Sequence, residues 1–367
     1  MLKAWFIGFL FIIFAGIIFF LSFITGVIIW IRFIIFIIGL FTFFVISIGM
    51  NWFGPSKYTY KLEDWDDTDK WYQVDYDKNK WNVILDTHTH TSASDGKLSV
   101  EQVIKYHQSV GFNACVITDH NTMRNIEEVL RLKRKYKDEF ILIPGMEYTT
   151  FRIHICLIGI TQWDCKKIPS RPTDQQIKEV IEKTHEMGGV VAVCHYPWST
   201  WARHSTGEPR MSTHPTREQM LEWGVDLIEC ANWDDDISLI DYKSYEFART
   251  RNSIGPCVGT DMHEPYKNPL CGWTLLNAKE FTAEAVLQEL KNHRTEVLLK
   301  PEGAQYPIIH TRNIWYDIFR PLIMLGEKFE DLFRWDKSPV INYAGMSSWI
   351  IYFFLIFLIF EIALFLF

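Results

Sequence analysis

The chain has 367 residues and a formal net charge of −7. A nucleic-acid-binding domain is expected to be basic, so this charge argues against that class, and no nucleic-acid partner is expected. Aromatic residues make up 16% of the chain, and much of the phenylalanine lies in the two terminal segments, which indicates contact with lipid. The middle of the chain is long enough for one large α/β domain.

The N-terminal segment is almost continuously apolar from residue 4 to residue 50. One membrane-spanning helix needs about 20 apolar residues, so residues 1–50 are predicted to form a hairpin of two transmembrane helices, with one long tilted helix as the alternative. The turn is expected at Thr25 and Gly26 or near Arg32. The segment lacks the short apolar core and small-residue cleavage site of a signal peptide. Residues 51–80 are acidic and aromatic, and are predicted to be a linker that packs on the domain.

The C-terminal segment, residues 345–367, is a second apolar stretch about one membrane thickness long, and it is predicted to be a transmembrane helix. Glu361 within it is expected either to contact another helix or to lie close enough to the far interface to reach water. Residues 305–340 precede this helix, and their apolar side chains recur at helical spacing. This pattern predicts an amphipathic helix on the membrane surface, and a helix packed on the soluble domain is the alternative.

Positive charge and cysteine usage indicate the compartment. Lys3 flanks the first apolar segment, and five Lys and Arg residues between residues 312 and 337 precede the last one. With two N-terminal spans, the positive-inside rule places the N-terminus and the domain in the cytosol. A single span would separate them. The seven cysteines form no CxxC pair and several lie in apolar runs, so buried reduced thiols are expected.

Between residues 81 and 304, short apolar runs alternate with polar, helix-like stretches. Strands are predicted at residues 83–88, 114–120, 140–149, 154–160, 190–196, 225–232 and 257–263. Helices are predicted at residues 100–110, 125–136, 173–187, 216–223, 239–251 and 283–292. This alternation is typical of the α/β class with parallel strand pairing, and seven strands favour a barrel.

Nearly every predicted strand ends in residues that can bind a metal. These residues are Asp86, His88, His90, Asp119, His120, Glu147, His195, Asp261 and His263, with His154 seven positions after Glu147. Residues i and i+2 of a strand face the same side, so His88 and His90 can reach one ion together. The C-terminal ends of parallel barrel strands form one functional face. Burying this many charged groups without a metal would be very costly. Imidazole and carboxylate ligands without cysteine favour zinc, manganese or iron.

The segments DTHTHTSASDGKLS, VITDHN, IPGMEYT with a later histidine, CHYP and GTDMHEP follow one another in this order. Over residues 83–300 the chain resembles the PHP (polymerase and histidinol phosphatase) superfamily, in particular its stand-alone phosphoesterase and carbaryl-hydrolase-like members. The resemblance implies a distorted (β/α)7 barrel that binds two or three divalent metal ions (Zn, Mn or Fe). The transmembrane segments lie outside the resemblance.

The metal ligands that the resemblance implies are His88, His90, Asp95, His120, Glu147, His154, His195, Asp261 and His263. Glu147 would bridge two ions. His88, His90 and Asp261 would complete the first ion, Asp95, His120 and His263 the second, and His154 and His195 would serve a third. Every ligand position of the pattern is filled.

Other polar residues near these motifs receive weaker expectations. Asp86 and Asp119 are expected to accept a hydrogen bond from a metal-bound imidazole or to cap loop backbone. The long loop after His195 is typical of a functional lid, and its Arg203 and His204 are predicted to bind an anionic substrate or donate a proton. Arg210 of the same loop could also bind that anion, and Arg124 and Arg152 are rival cations. For each of these residues the alternative is an ordinary surface position. Surface positions without a role are expected for His107, His185, His214 and His293.

Three functions are compatible with this sequence. The first is a membrane-anchored phosphoesterase acting on a phosphorylated small molecule or a lipid headgroup, in which metal ions lower the pKa of water and supply the attacking hydroxide. The second is hydrolysis of carboxylic esters, amides or carbamates by the same metals. The third is a non-catalytic membrane scaffold that retains a metal site.

Overall fold

The computed structural model describes residues 13, 29–196, 213–234, 237–265, 270–304, 311–330, 332–334, 340–341 and 343–366. The helices are α1 (Ile29–Phe53), α2 (Val100–Ser109), α3 (Ile126–Lys135), α4 (Asp174–Glu186), α5 (Arg217–Glu222), α6 (Tyr242–Arg249), α7 (Ala283–Lys291), α8 (Ile314–Glu330) and α9 (Tyr343–Leu366). The strands are β1 (Tyr58–Thr59), β2 (Val83–Thr89), β3 (Ala114–Ile117), β4 (Ile141–Thr149), β5 (His154–Ile158), β6 (Val190–Val193), β7 (Leu227–Asp234), β8 (Ile237–Ile240), β9 (Gly255–Val258), β10 (Leu270–Leu276), β11 (Glu296–Ala304), β12 (Thr311–Arg312), β13 (Phe333–Arg334) and β14 (Val340–Ile341). The chain divides into a barrel unit within residues 60–310 and a terminal unit within residues 1–59 and 311–367.

Seven strands of the barrel unit form a nearly closed sheet in the order β2-β3-β4-β5-β6-β7-β9. The last gap is bridged where Thr89 pairs with Met262 and the amide of Asp261 donates to the carbonyl of His88 over 2.8 Å. These are the seven strands predicted from the sequence, and the α/β class and barrel-like closure are confirmed. Three further strands were not predicted: β10 and β11 extend the sheet beyond β2, and β8 pairs with β7.

The prediction of parallel pairing is wrong for β5, which runs antiparallel to both of its neighbours. Only residues 150–153 join β4 to β5, and a connection this short permits a hairpin but not the crossover that parallel strands require. His154 lies at the start of β5, where the predicted strand 154–160 also begins, so the expectation that the candidate ligands lie at C-terminal strand ends is wrong for this residue. Because β5 is reversed, this start meets the same end of the barrel as the last residues of β4.

Alternation along the strands divides the core into two layers. In β2, Val83 and Leu85 belong to the cluster that fills the barrel interior, while Ile84 packs outward against the side chains of α2. Capping boxes begin three of the helices. In α2, α4 and α5 these boxes pair Ser99, Thr173 and Thr216 with a glutamine three residues later. These caps fix the first turns of α2, α4 and α5.

The segment between the N-terminal helix and the first barrel strand packs on the barrel unit from Tyr60 onward. The Tyr72 ring stacks on Trp273 with 5.6 Å between ring centroids, and its amide donates to the carbonyl of Ser109. Trp65 is buried in the same cluster. Aromatic side chains thus attach a segment that has little regular secondary structure.

The terminal unit contains two described helices that are long and apolar enough to cross a membrane, at Ile31–Phe53 and Gly345–Leu364. α1 and α9 run antiparallel, since Phe33 contacts Phe357 and Arg32 contacts Glu361. α1 is continuous through Arg32, so the turn proposed there is wrong. The alternative turn at Thr25 and Gly26 lies outside the described residues, as does the first helix of the predicted hairpin.

The predicted amphipathic helix is present as α8, and it packs against α1. Gly326 lies so close to α1 that an added Cβ would meet the carbonyl oxygen of Ser47 at 2.0 Å. The rings of Phe44 and Phe329 lie 4.8 Å apart at the same contact. Ile314, Trp315 and Ile318 at the start of α8 are exposed.

Candidate metal centre

Candidate metal-binding side chains gather at one end of the barrel, where adjacent strands deliver them together. β2 carries His88 and is followed by His90 and the loop to Asp95, and the segment after β3 brings His120 against Glu147 in β4. The remaining four, His154, His195, Asp261 and His263, come from the start of β5 and the segments after β6 and β9. The fold therefore brings all nine predicted ligand residues to one site.

Glu147 lies at the centre of this site with no exposed surface. One oxygen lies 2.7 Å from Nδ1 of His154 and 3.6 Å from Nε2 of His195. The other lies 2.5 Å from Nδ1 of His120, and 3.6 and 3.7 Å from Nε2 of His88 and His90. A single carboxylate thus faces five imidazoles.

Two groups of donor atoms flank Glu147. In the first, Nε2 of His90 lies 3.1 Å from Nε2 of His88 and 2.9 Å from Oδ1 of Asp261. In the second, Nε2 of His263 lies 3.3 Å from Nε2 of His120 and 3.3 Å from Oδ1 of Asp95. The donor atoms within each group lie within 4.8 Å of one another, and His90 can join the second group through its ring.

The third predicted group is less complete in the described residues. His154 and His195 have ring centroids 5.1 Å apart and share one oxygen of Glu147. His195 also forms a compact donor set with His88 and Glu147. Among the described residues, the compact set that contains His195 thus includes His88 of the first group.

The arrangement of the donor atoms suits bound divalent cations better than direct hydrogen bonds between the donors. Both oxygens of Glu147 and Nδ1 of His90 are buried and lack a hydrogen bond of acceptable geometry, although His120 and His154 approach Glu147 to 2.7 Å or less. Buried polar atoms without hydrogen bonds are rare in folded proteins. Short contacts with poor angles are expected where several donors point toward a common centre between them. Imidazole and carboxylate donors of this kind suit zinc, manganese or iron.

Burial and mutual contact set the charges at the site. Burial, reinforced by the nearby His263 and His120, lowers the pKa of His90 to about 3. Burial opposes ionisation of Glu147, but the surrounding histidines outweigh it and hold its pKa well below the usual range. The same balance raises the pKa of His120 to about 9, because the Glu147 carboxylate overrides the effect of burial. The site therefore holds buried carboxylate charge that bound cations can neutralise.

One side of the site is open. The Asp95 side chain is 56% exposed and that of His120 is 26% exposed, whereas His88 and His90 are fully buried. Within the described residues, the second group of donors thus reaches the surface through Asp95.

Backbone strain is concentrated at the same place. Among described residues other than glycine, a positive φ occurs at Asn121, His195, Asp261 and His293. The first three either belong to the donor groups or adjoin them, and strained backbone of this kind persists where the surrounding structure enforces a functional geometry.

Two buried carboxylates hold the backbone around the donors, which is one of the two roles expected for Asp86 and Asp119. Asp86 accepts hydrogen bonds from the amides of His88 and Thr260 and from His107 Nε2. Asp119 accepts from the amides and hydroxyls of Thr91 and Ser94, which begin the loop to Asp95.

Sequence reasoning missed two supporting residues. His107 was expected at the surface, but it is fully buried because α2 turns it toward Asp86. Glu229 lies 2.8 Å from Nδ1 of His88 and was not singled out. Its signal was available, since a lone carboxylate within the apolar run LIEC of β7 requires a buried partner.

The remaining predicted polar residues have other partners or are not described. Arg124 donates to the carbonyl of Ala93, and Arg152 donates to the carbonyls of Thr213 and Pro172 and to Asp174. Arg203, His204 and Arg210 lie outside the described residues. His185 and His293 both face Asp226 at the opposite end of β7 from the donor groups, and His214 is half-buried against Tyr196.

One family model covers most of the candidate ligands. The model of the PHP domain matches residues 86–228, which contain seven of the nine candidate ligands. Asp261 and His263 lie beyond the matched residues. No curated protein matches the chain.

Several solved structures match the chain at low sequence identity. A two-domain protein from Bacteroides vulgatus containing a predicted PHP-like metal-dependent phosphoesterase is 18% identical, with a TM-score of 0.49 over 72% of this chain and 74% of the other. A proposed metal-dependent phosphoesterase from Bifidobacterium adolescentis is 15% identical, with a TM-score of 0.36 over 49% of this chain and 87% of the other. An amidohydrolase from Chromobacterium violaceum with bound sulfate is 15% identical, with a TM-score of 0.35 over 65% of this chain and 96% of the other. Residues 86–228 of the barrel unit match the model of the PHP domain.

Proposed function

We propose that the barrel unit is a metal-dependent phosphoesterase. The observation that carries this proposal is the set of nine histidine and carboxylate side chains centred on Glu147, whose two buried oxygens make close contacts without hydrogen-bond geometry. The match of residues 86–228 to the PHP domain supports the same class. A site that served only to stabilise the barrel would not need an open side, and here the second donor group reaches the surface at Asp95.

We assign the ligands as two principal groups that share Glu147. His88, His90 and Asp261 would hold one ion, and Asp95, His120 and His263 would hold a second. His154 and His195, with Glu147, would serve a third. Divalent zinc, manganese or iron bound here would lower the pKa of water and offset negative charge that develops on a phosphoryl group. The buried carboxylates Glu147 and Asp261 supply negative charge to the donor groups, and the exposed edge at Asp95 admits the substrate.

We also propose that the terminal unit anchors the protein in a membrane. Only 11% and 17% of the most apolar windows of α1 and α9 are buried, whereas a core helix of a water-soluble protein would be mostly covered. The substrate class proposed is a phosphorylated small molecule or a lipid headgroup. Lysine and arginine near the apolar segments support a cytosolic barrel unit. Arg203 and His204 remain proposed substrate contacts on the basis of sequence.

The test is hydrolysis by the full chain purified in detergent and loaded with zinc or manganese. We expect release of nitrophenol from p-nitrophenyl phosphate or bis(p-nitrophenyl) phosphate, reduced to background in His88→Ala and Asp261→Ala. His185→Ala provides the matched control, since it removes a histidine of the same unit outside the donor groups. Wild-type activity in both site variants would overturn the assignment.

The same substrates separate the alternatives. Turnover of p-nitrophenyl acetate without turnover of either phosphate ester would replace the proposal with carboxylic ester, amide or carbamate hydrolysis. Bound metal without turnover of any of the three substrates would favour a scaffold. Metal analysis of the same samples identifies the ion.

A further inference from the structure

Glu229 lies behind the candidate metal centre, in the middle of β7, where it is only 2% exposed. Its Oε1 lies 2.8 Å from Nδ1 of His88. Its Oε2 accepts hydrogen bonds from the backbone amide of His195 at 2.6 Å and from Nδ2 of Asn232 at 2.9 Å. One carboxylate therefore contacts two candidate ligands from different strands.

The contact with His88 determines which ring nitrogen carries the proton. A carboxylate can only accept a hydrogen bond, so the proton of a neutral His88 ring resides on Nδ1. The lone pair is then left on Nε2, which faces Nε2 of His90 and Oδ1 of Asp261 at 3.1 and 3.2 Å. A metal ligand needs this arrangement, and a carboxylate behind the imidazole also makes it a stronger base.

The contact with His195 supports a strained backbone. His195 has a φ of 27°, a conformation that side chains other than glycine rarely adopt. The hydrogen bond from its amide to Glu229 offsets part of that cost and fixes the direction of the ring that follows β6. Removing this bond would release the residue toward a relaxed conformation and move the ring away from Glu147.

Gly259 also packs closely against Glu229 and His88. A Cβ added at Gly259 would lie 2.1 Å from Oε1 of Glu229 and 2.6 Å from Cβ of His88. The backbone of the segment after β9 therefore approaches as closely as glycine permits. This leaves the Glu229 carboxylate and the His88 ring little room for another arrangement.

The thiols of Cys156 and Cys194 lie beside Glu229 and His88, and these four residues also form a compact donor set. A fourth metal ion fits this set poorly. The two sulfurs lie 3.2 Å apart, whereas tetrahedral zinc with bonds of about 2.3 Å separates its sulfur ligands by about 3.8 Å. Both Glu229 oxygens also already accept hydrogen bonds. The set is better explained as the buried support of His88.

We propose that Glu229 is a positioning residue for the metal centre, holding the His88 ring in its metal-binding tautomer and the His195 backbone in its strained conformation at the same time. This inference rests on the proposed metal-dependent function. Glu229 itself contacts neither the open side of the site nor the second donor group in the described contacts. Its effect on metal binding passes entirely through the two histidines.

Glu229→Gln tests this role with almost no change in shape. Three donors face the carboxylate, whereas the amide offers one acceptor and one donor group. If the oxygen of the new side-chain amide faces His88, the NH2 group faces the backbone N–H of His195, and no hydrogen bond forms there. If the NH2 group faces His88, the ring must move its proton to Nε2. Either orientation damages one of the two contacts, so zinc affinity should fall by about 10- to 100-fold.

The measurement is zinc affinity of the full chain in detergent, by competition with a chromophoric chelator, together with zinc and manganese content per chain. Asp241→Asn is the matched control, since it makes the same carboxylate-to-amide change in a buried network with Arg217 and Ser244. Both variants should lose thermal stability, and only Glu229→Gln should lose metal affinity. Should Glu229→Gln fail to fold, Glu229→Asp, which shortens the reach to both histidines, should show the same loss.

Zinc affinity within threefold of the wild type in the folded Glu229 variant would overturn the inference. If the wild type binds zinc and hydrolyses phosphate esters in that case, the proposed function stands and only the role of Glu229 is lost. A wild-type chain that binds neither zinc nor manganese would instead remove the proposed function and this inference together.

Discussion

His107 Nε2 donates a hydrogen bond to Oδ2 of Asp86 over 2.7 Å, and neither side chain has exposed surface. The other ring nitrogen of His107 bonds to the carbonyl of Val103 in the same helix. Asp86 in turn holds the hydroxyl and amide of Thr260, directly before Asp261. A residue of α2 is thereby connected to the backbone of a candidate metal ligand.

His107→Ala should lower the free energy of unfolding by about 2–4 kcal/mol, because a buried carboxylate loses a hydrogen bond and a cavity remains. The measurement is chemical unfolding of the full chain in detergent. Gln108→Ala, one position further along the same helix and half-exposed, serves as the control and should change stability by less than about 0.5 kcal/mol. Equal stability of the two variants would show that the bond to Asp86 contributes nothing measurable.

Asp226 should give the barrel unit a pH-dependent contribution to stability. Its hydrogen bonds raise the pKa of both His185 and His293, and the same contacts lower the pKa of Asp226 against the opposing effect of burial. The histidine contribution is complete below about pH 6.5, the unfolded value, and is lost as pH rises through the folded values. The aspartate contribution is present above about pH 3.9 and is lost as pH falls through the folded value.

Asp226 and its two histidines therefore stabilise the barrel unit most between about pH 4 and pH 6.5. His185 is partly exposed, so solvent screening limits the stabilisation by the His185–Asp226 pair to below about 1 kcal/mol. Melting temperature measured from pH 5 to pH 8 should fall more steeply in the wild type than in Asp226→Asn. The metal-site histidines titrate equally in both chains, so their effect cancels in the difference. Parallel curves would contradict the prediction.

Much of the barrel could be predicted because its strands carry strong local signals. Runs such as residues 83–85 and 190–194 are apolar, short and followed by polar motifs, which indicates buried strands with functional ends. β10 contains a glycine and β11 contains proline and charged residues, so neither has a clear strand pattern. The reversed direction of β5 could have been inferred from the short loop before it.

Supporting residues were harder to predict than the candidate ligands. His88 and His90 share a strand face through local spacing, so two residues suffice to suggest them. His107 reaches Asp86 only because the fold brings together positions 21 residues apart, and nothing near it in sequence indicates burial of its ring. The contact of Glu229 with His88 spans 141 residues. Such pairings depend on tertiary structure, which a single sequence does not contain.

Arg32 and Glu361 should form a coupled pair between α1 and α9. Nη1 of Arg32 lies 3.4 Å from Oε2 of Glu361, and both side chains are mostly covered by the helices. An unpaired charge in an apolar environment destabilises a protein more than two uncharged side chains at the same positions do. Glu361→Gln alone should therefore destabilise the terminal unit by about 1–2 kcal/mol, and adding Arg32→Gln should recover part of that loss.

The measurement is a double-mutant cycle of unfolding free energies in detergent micelles, with both single variants and the double variant. A coupling energy of at least about 0.5 kcal/mol is expected for residues in direct contact. Additive effects of the two substitutions would show that Glu361 reaches water independently of Arg32.

Asp95→Asn should separate function from stability. Asp95 is the most exposed of the candidate ligands, and its carboxylate contacts His263 and His120 at 3.3 and 3.5 Å. Loss of one ligand charge at the second donor group should reduce metal content and phosphate ester hydrolysis by about tenfold or more. An exposed side chain contributes little to folding, so the unfolding free energy of the metal-free chain should change by less than about 0.5 kcal/mol. Glu147→Gln, fully buried, provides the contrast and should lose both metal and stability. A variant Asp95→Asn with full metal content and full activity would place the second ion elsewhere.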